Sequence, residues 1–117
     1  ISGEYIRVWG SGNVRREFLK AGDMAEASVF LMENFSAIDI GEFINIGTGE
    51  DVTIKDLTFI IKEIAGYQGE IKFETGMPEG TKRKLLDVSR INSLGWKSST
   101  GLGEGIKEVI EFYKSSL

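Results

Sequence analysis

The chain contains no cysteine and no histidine. Without cysteine there is no disulfide frame and no thiolate nucleophile. Without histidine, the commonest general base near neutral pH and the commonest metal ligand are both missing. Ser/His/Asp and Cys/His arrangements are therefore excluded within these 117 residues. Proline occurs once, at Pro78. No apolar run approaches the roughly 20 residues that span a bilayer, and no signal-peptide pattern is visible. The default expectation is a cytoplasmic protein with no membrane partner. Positive charge is not in excess either: 14 Lys and Arg face 18 Asp and Glu, a net charge of −4. No nucleic-acid partner is expected, and any anion site must come from local clustering of cations.

What is present suits a folded domain. Hydrophobic residues make up 41% and charged residues 27%, a globular balance rather than a disordered one. The length predicts one domain that can bury a core without staples. Tyr5 to Trp9 alternate and read as a strand. Gly10 to Asn13 read as a turn, and Arg16 to Lys20 as a second short strand. Asp23, with Glu26 three residues on, reads as the cap of a helix whose apolar stripe is Ala25, Val29, Met32 and Leu31. Glu42 to Ile46 read as a strand entering Gly47-Thr48-Gly49. Thr53 caps a helix with Ile54, Leu57, Ile60, Ile61 and Ile64 at helical spacing, stopped by Gly66. Glu70 to Glu74 alternate as a strand. Asp87 caps a short helix ending at Gly95. Ser99 or Thr100 starts the last helix, with Leu102, Ile106, Val109, Ile110 and Tyr113 on one face. The expected fold class is α/β: a small mixed domain of a few short strands and about four helices.

Two basic segments stand out in this acidic chain. One runs from Trp9 through Arg15 and Arg16 to Leu19; the other runs from Pro78 through Lys82-Arg83-Lys84 to Asp87. Each sets cations beside a Gly-rich turn, and the first adds an indole plane. Arginine forks match phosphate oxygens bidentately, so the pair suits a nucleoside diphosphate. The alternative is a solvated surface, with Arg15 or Arg16 paired to Glu17 or Glu4 and Trp9 partly buried in packing. Strand neighbours point to opposite faces, so only one of Arg15 and Arg16 can line a given pocket. Gly47-Thr48-Gly49 resembles the start of a dinucleotide loop. Val52 stands where a third glycine belongs, and Glu50 and Asp51 would oppose a pyrophosphate, so a tight structural turn is the better reading. Tyr5, Tyr67 and Tyr113 lack a lysine four residues on. No metal-ligand spacing is present.

Val8-Trp9-Gly10-Ser11-Gly12, Arg16-Glu17-Phe18-Leu19 and Asp23-Met24-Ala25 resemble the substrate-domain signature of the GDP-L-fucose synthase family, which belongs to the extended short-chain dehydrogenase/reductases. Asn45-Ile46-Gly47-Thr48-Gly49, Thr53-Ile54-Lys55, Gly80 to Val88 and Leu94-Gly95-Trp96 follow in the family's order. The resemblance covers nearly the whole chain. It implies that residues 1–117 are the C-terminal nucleotide-sugar domain, without the N-terminal Rossmann domain. It also implies an epimerase/reductase that converts GDP-4-keto-6-deoxy-D-mannose to GDP-L-fucose with NADPH. NADP(H) would be the cofactor of the full-length enzyme and would not bind this fragment, which alone should be inactive; no catalytic residue lies within it. Full-length relatives would be homodimers. Trp9 would contact the nucleotide and Arg16 would clamp the pyrophosphate. Lys84, with Arg83 beside it, would add a second cation. Glu79 stands where the family usually has an Asp that would meet a ribose hydroxyl or base. Where the family usually reads Phe-Leu-His-Val-Asp-Asp, this chain reads Phe18-Leu19-Lys20-Ala21-Gly22-Asp23. Two other readings stay open: the substrate domain of another nucleotide-sugar epimerase or dehydratase, and a folding or interaction module without ligand affinity.

Overall fold

A computed structural model describes residues 4–117. Strand β1 (Tyr5–Trp9) pairs in parallel with β4 (Glu70–Glu74), from Tyr5 opposite Glu70 to Trp9 opposite Glu74. Three two-residue strands form a second sheet in the order β3 (Val52–Thr53), β2 (Arg15–Arg16), β5 (Arg83–Lys84). In it β2 runs antiparallel to β3 and parallel to β5. Five helices complete the described residues: α1 (Ala21–Asn34), α2 (Ala37–Ile40), α3 (Ile54–Ala65), α4 (Ser89–Ser93) and α5 (Leu102–Ser115). The α/β class and both longer strands match the expectation. The additional helix is α2, which a Ser36–Asp39 capping box starts.

The core is Ala27, Leu31, Val88, Ile91 and Trp96, with Leu19, Phe30, Phe35, Ile44 and Ile46 packed around it. Helix α1 therefore buries Asp23, Ala27 and Leu31. This corrects the expected stripe: Val29 is exposed, and Met32 is 83% exposed. The cap is corrected as well. Lys20 is the N-cap of α1 and gives no side-chain cap bond. Asp23 instead accepts from the amides and hydroxyls of Ser99 and Thr100. Those hydroxyls are consequently not the cap of α5, which starts one residue past Gly101. Thr53 does cap α3, its hydroxyl accepting from the Asp56 amide at 3.0 Å. Gly66 ends α3 with φ 71°, a left-handed conformation that glycine adopts without steric cost. Asp87 accepts from the Ser89 amide one residue before the N-cap, Val88.

Residues 42–46 form no strand. The Arg90 guanidinium donates to the carbonyls of Ile40 and Phe43, and the Asn45 amide group donates to the Asp87 carbonyl. Arg90 thus takes up the Phe43 carbonyl and Asn45 fastens the segment to Asp87, while Ile44 and Ile46 pack inward. The second strand is likewise shorter than expected and stops at Arg16, because Glu17 turns its carboxylate to other backbone groups.

Among the described residues, no helix is long and apolar enough to cross a membrane. The radius of gyration is 17.3 Å, against about 13 Å for a compact domain of this length. The chain exposes 8223 Å², where roughly 6300 Å² is usual for its mass. One uncovered region is an apolar groove of about 460 Å³ between the segment Phe18 to Ala21, α3 and α5.

Candidate functional site

The two basic segments meet in the three-stranded sheet. Arg15 stands opposite Arg83, and Arg16 opposite Lys84. Side chains alternate along a strand. Arg15 and Arg83 therefore share one face, while Arg16 and Lys84 share the other. The Asp51 carboxylate occupies the first face. It accepts from Arg15 Nε at 2.9 Å and from Arg83 Nε at 2.6 Å, and its side chain is only 4% exposed. Burial raises the Asp51 pKa, but hydrogen bonds from Arg15 and Arg83, helped by their charges, lower it further than burial raises it. The carboxyl stays below its ordinary value. Arg15 thus pairs with Asp51, not with Glu17 or Glu4.

On the second face Arg16 Nη1 donates to the carbonyls of Arg15 and Thr81, at 2.7 and 2.6 Å. A carbonyl positions a guanidinium without neutralising it. Lys84 is exposed and makes no ion pair among the described residues. The loop before β5 passes close by: a Cβ on Gly80 would stand 3.3 Å from Arg16 Nη2.

The same loop reaches the Trp9 turn. Glu79 Oε1 accepts from the amide and hydroxyl of Ser11, each at 2.7 Å. These bonds, the hydroxyl's first, hold the Glu79 carboxyl below its usual range. Gly10 has φ 91°, and a Cβ there would lie 2.4 Å from Glu79 Cγ. Only glycine allows so close an approach. Trp9 itself is 61% exposed at the end of β1, so partial burial does not claim its indole. The loop from Glu79 to Thr81 thus ties the Trp9 turn to Arg16. Of the five candidate binding residues, Trp9, Arg16 and Lys84 are not held by carboxylates. Glu79 is engaged by Ser11 and Arg83 by Asp51.

Gly47-Thr48-Gly49 is a turn filled by the protein's own anion. Glu17 Oε2 accepts from the Gly49 amide at 2.6 Å and from the Thr48 hydroxyl at 3.3 Å. Its other oxygen accepts from the Leu86 amide at 3.2 Å. A Cβ on Gly47 would come within 2.7 Å of that carboxylate. A dinucleotide pyrophosphate does not fit there, and the structural reading of the turn holds.

Beside Arg16 lies a polar cleft of about 460 Å³, which Phe18, Thr48, Glu50, Asp51, Asn92 and Lys97 also line. Sequence reasoning missed Asp51. It lies 36 residues from Arg15 and 32 from Arg83, so no local spacing announces the pairing, and only the strand register creates it.

Residues 1–47 match the family described as the NAD dependent epimerase/dehydratase family. GDP-L-fucose synthase 1 of Arabidopsis thaliana is 40% identical over 94% of this chain and 33% of its own length. The chain thus spans about a third of the length of the curated relatives it matches. A GDP-6-OMe-4-keto-L-xylo-heptose reductase from Campylobacter jejuni superposes with a TM-score of 0.92. It is 40% identical and is matched over 100% of this chain and 36% of its own. A GDP-mannoheptose C4 reductase from the same organism, solved with NADP bound, gives 0.87 at 41% identity, over 97% of this chain and 36% of its own. Residues 1–47 thus match the NAD dependent epimerase/dehydratase family, and the chain as a whole is similar to about a third of the length of GDP-L-fucose synthases.

Proposed function

We propose that this chain is the nucleotide-sugar domain of a GDP-L-fucose synthase-type epimerase/reductase, and that it binds the GDP end of the substrate. The observation that carries this reading is the shared face of Arg16 and Lys84, two cations that make no ion pair among the described residues, tied through the Glu79–Thr81 loop to the turn after the exposed Trp9. In this reading Arg16 and Lys84 grip the diphosphate and Trp9 packs on the nucleotide. Glu79 closes the Pro78–Thr81 loop onto Ser11, which sets its carboxylate beside the Trp9 turn for a ribose or base donor. Arg83 serves the site from behind, through Asp51.

The hydride chemistry belongs to a separate Rossmann domain that holds NADP(H) and the reacting side chains. The surplus exposed area and the apolar groove of α3 and α5 support a domain that packs against another. Residues 1–117 alone are inactive in this reading, and the full-length enzyme is a cytoplasmic homodimer acting on GDP-4-keto-6-deoxy-D-mannose. A second reading has a specific basis: two GDP-heptose reductases match at 40–41% identity. In that case the GDP end is held the same way and the sugar differs.

Calorimetric titration with GDP, GDP-mannose and UDP-glucose tests the binding claim. GDP and GDP-mannose should bind, and UDP-glucose more weakly. Arg16→Gln and Lys84→Gln should each weaken GDP by about tenfold, the loss of one charge-assisted contact. A folded protein that takes up none of the three overturns the reading. A preference for UDP-glucose moves it to another nucleotide sugar. Turnover of a GDP-heptose rather than GDP-4-keto-6-deoxy-D-mannose by the full-length enzyme selects the second reading.

A further inference from the structure

The sheet carries four cations in two register pairs, yet its two faces differ. One face has a nearly buried carboxylate bonded to both of its guanidiniums; on the other, neither Arg16 nor Lys84 makes an ion pair among the described residues. Asp51 stands just before β3 and Arg83 lies in β5, so the carboxylate links the two outer strands across the central β2. Backbone pairing alone is a weak constraint on strands of two residues. The bidentate-capable Arg83–Asp51–Arg15 bridge adds directional contacts that fix β5 beside β2.

We propose that Asp51 is a positioning residue for the diphosphate site. It holds Arg15 and Arg83 on the rear face and thereby sets Lys84 level with Arg16 on the front. This rests on the nucleotide-sugar reading above. Asp51 does not touch the ligand; it acts through Arg83 and the register of β5.

The proposal has a sign that distinguishes it from simple electrostatics. Asp51→Asn removes a negative charge near an anion site, and charge alone would tighten GDP binding. If Arg83 itself could reach the phosphates, freeing it would tighten binding further. Loss of positioning weakens binding instead. GDP titration of the parent chain, Asp51→Asn, Asp51→Glu and Arg83→Gln separates these cases, with Arg16→Gln and Lys84→Gln as references. Asp51→Asn should raise the Kd about fivefold, in the range of coupling through an intermediary. Asp51→Glu, which keeps the charge, should restore part of that loss. A purely structural role would lower the binding stoichiometry and the melting temperature while leaving the Kd of the folded fraction unchanged.

Arg83→Gln gives a second route that does not depend on Asp51→Asn folding. It should raise the Kd about threefold without changing the salt dependence of binding. Lys84→Gln, which removes a phosphate contact, should reduce that dependence. Unchanged or tighter binding by Asp51→Asn overturns the positioning role, as does a reduced salt dependence in Arg83→Gln. If the parent binds no GDP, or the two reference variants bind like the parent, the nucleotide-sugar reading itself has failed.

Discussion

Asp23 provides a direct test of how α1 and α5 are joined. The residue is 5% exposed. It accepts from the amides of Ser99 and Thr100 at 3.2 and 3.0 Å, and from their hydroxyls at 3.3 and 3.1 Å. Removing it by Asp23→Ala leaves two amide donors without their acceptor, while the hydroxyls can rotate toward water. Hydrogen bonds to a charged group are worth about 1.5–3 kcal/mol each, and two that share one anion do not add fully. The expected loss is about 3 kcal/mol. For a domain of this size that lowers the melting temperature by about 12 °C. Asp23→Asn keeps one acceptor oxygen and should lose about half as much. Thermal melting followed by circular dichroism reads both. Hydrogen exchange locates the effect: the Ser99 and Thr100 amides should lose protection, while the Ala25 and Glu26 amides should not. If Asp23→Ala melts within about 2 °C of the parent, or if deprotection falls in the first turn of α1, the assignment of Asp23 to the α5 approach is wrong.

The same carboxyl sets a pH dependence. The Thr100 amide bond is the largest influence on it; burial opposes, and the remaining Ser99 and Thr100 bonds add to the lowering. The folded-state pKa is therefore below the ordinary 3.8. A lowered carboxyl stabilises the fold above its unfolded-state value and loses that contribution as pH falls through the folded-state value. Stability should hold above about pH 5 and decline below pH 4. Asp23→Asn should flatten that acid limb, and urea unfolding at several pH values measures it.

Ile91 is fully buried at the centre of the core, so Ile91→Ala should cost about 2–5 kcal/mol by urea unfolding. Lys20 pairs with Glu108 of α5, but the two side chains are 32% and 42% exposed. Lys20→Met should therefore cost less than about 1 kcal/mol, and the loss should shrink with added salt. Gly47→Ala should force the Glu17 carboxylate off its amide donors and cost about 1–3 kcal/mol. In Glu17→Ala that penalty should fall sharply, which a double-mutant cycle checks.

Features set by local chemistry were legible in the sequence. Tyr5–Trp9 and Glu70–Glu74 alternate, Thr53 opens α3 and Gly66 closes it, and all four appear as read. Features set by distant partners were not. Asp23 has the look of a cap because Glu26 follows at capping-box spacing, yet its donors lie 76 and 77 residues away. Residues 42–46 have strand composition, but Arg90 and Asn45 satisfy their surroundings before any ladder can. Helix α2 was missed although Ser36 and Asp39 stood at box spacing, because four residues carry no periodicity. Val29 and Met32 seemed core-facing by hydrophobicity alone. The face that packs is the Asp23, Ala27 and Leu31 row, because Asp23 must reach the Ser99–Thr100 segment.

The candidate site divides in the same way. Arginine and lysine beside glycine turns were visible in the sequence, whereas the face each cation occupies was not. That depends on a parallel register between segments 68 residues apart, Arg15 with Arg83 and Arg16 with Lys84. In a protein of net charge −4, the decisive feature of an anion site is which carboxylates are already engaged. Glu17 is spent on Gly49 and Leu86, Asp51 on Arg15 and Arg83, and Glu79 on Ser11. Glu50 and Asp51 line the cleft beside Arg16, but among the described residues neither Arg16 nor Lys84 makes an ion pair. Arg16 is steered only by carbonyl oxygens, which fix its direction and leave its full charge available. An arginine held in this way has already lost most of its rotamer freedom before a ligand arrives, so a diphosphate meets an ordered cation at a smaller entropic cost. Arg16→Lys keeps the charge but loses the fork that the Arg15 and Thr81 carbonyls hold in place. On this argument it should weaken GDP binding by about threefold, between the parent and Arg16→Gln. Binding equal to the parent in that variant would mean that the ordered guanidinium is not the phosphate clamp.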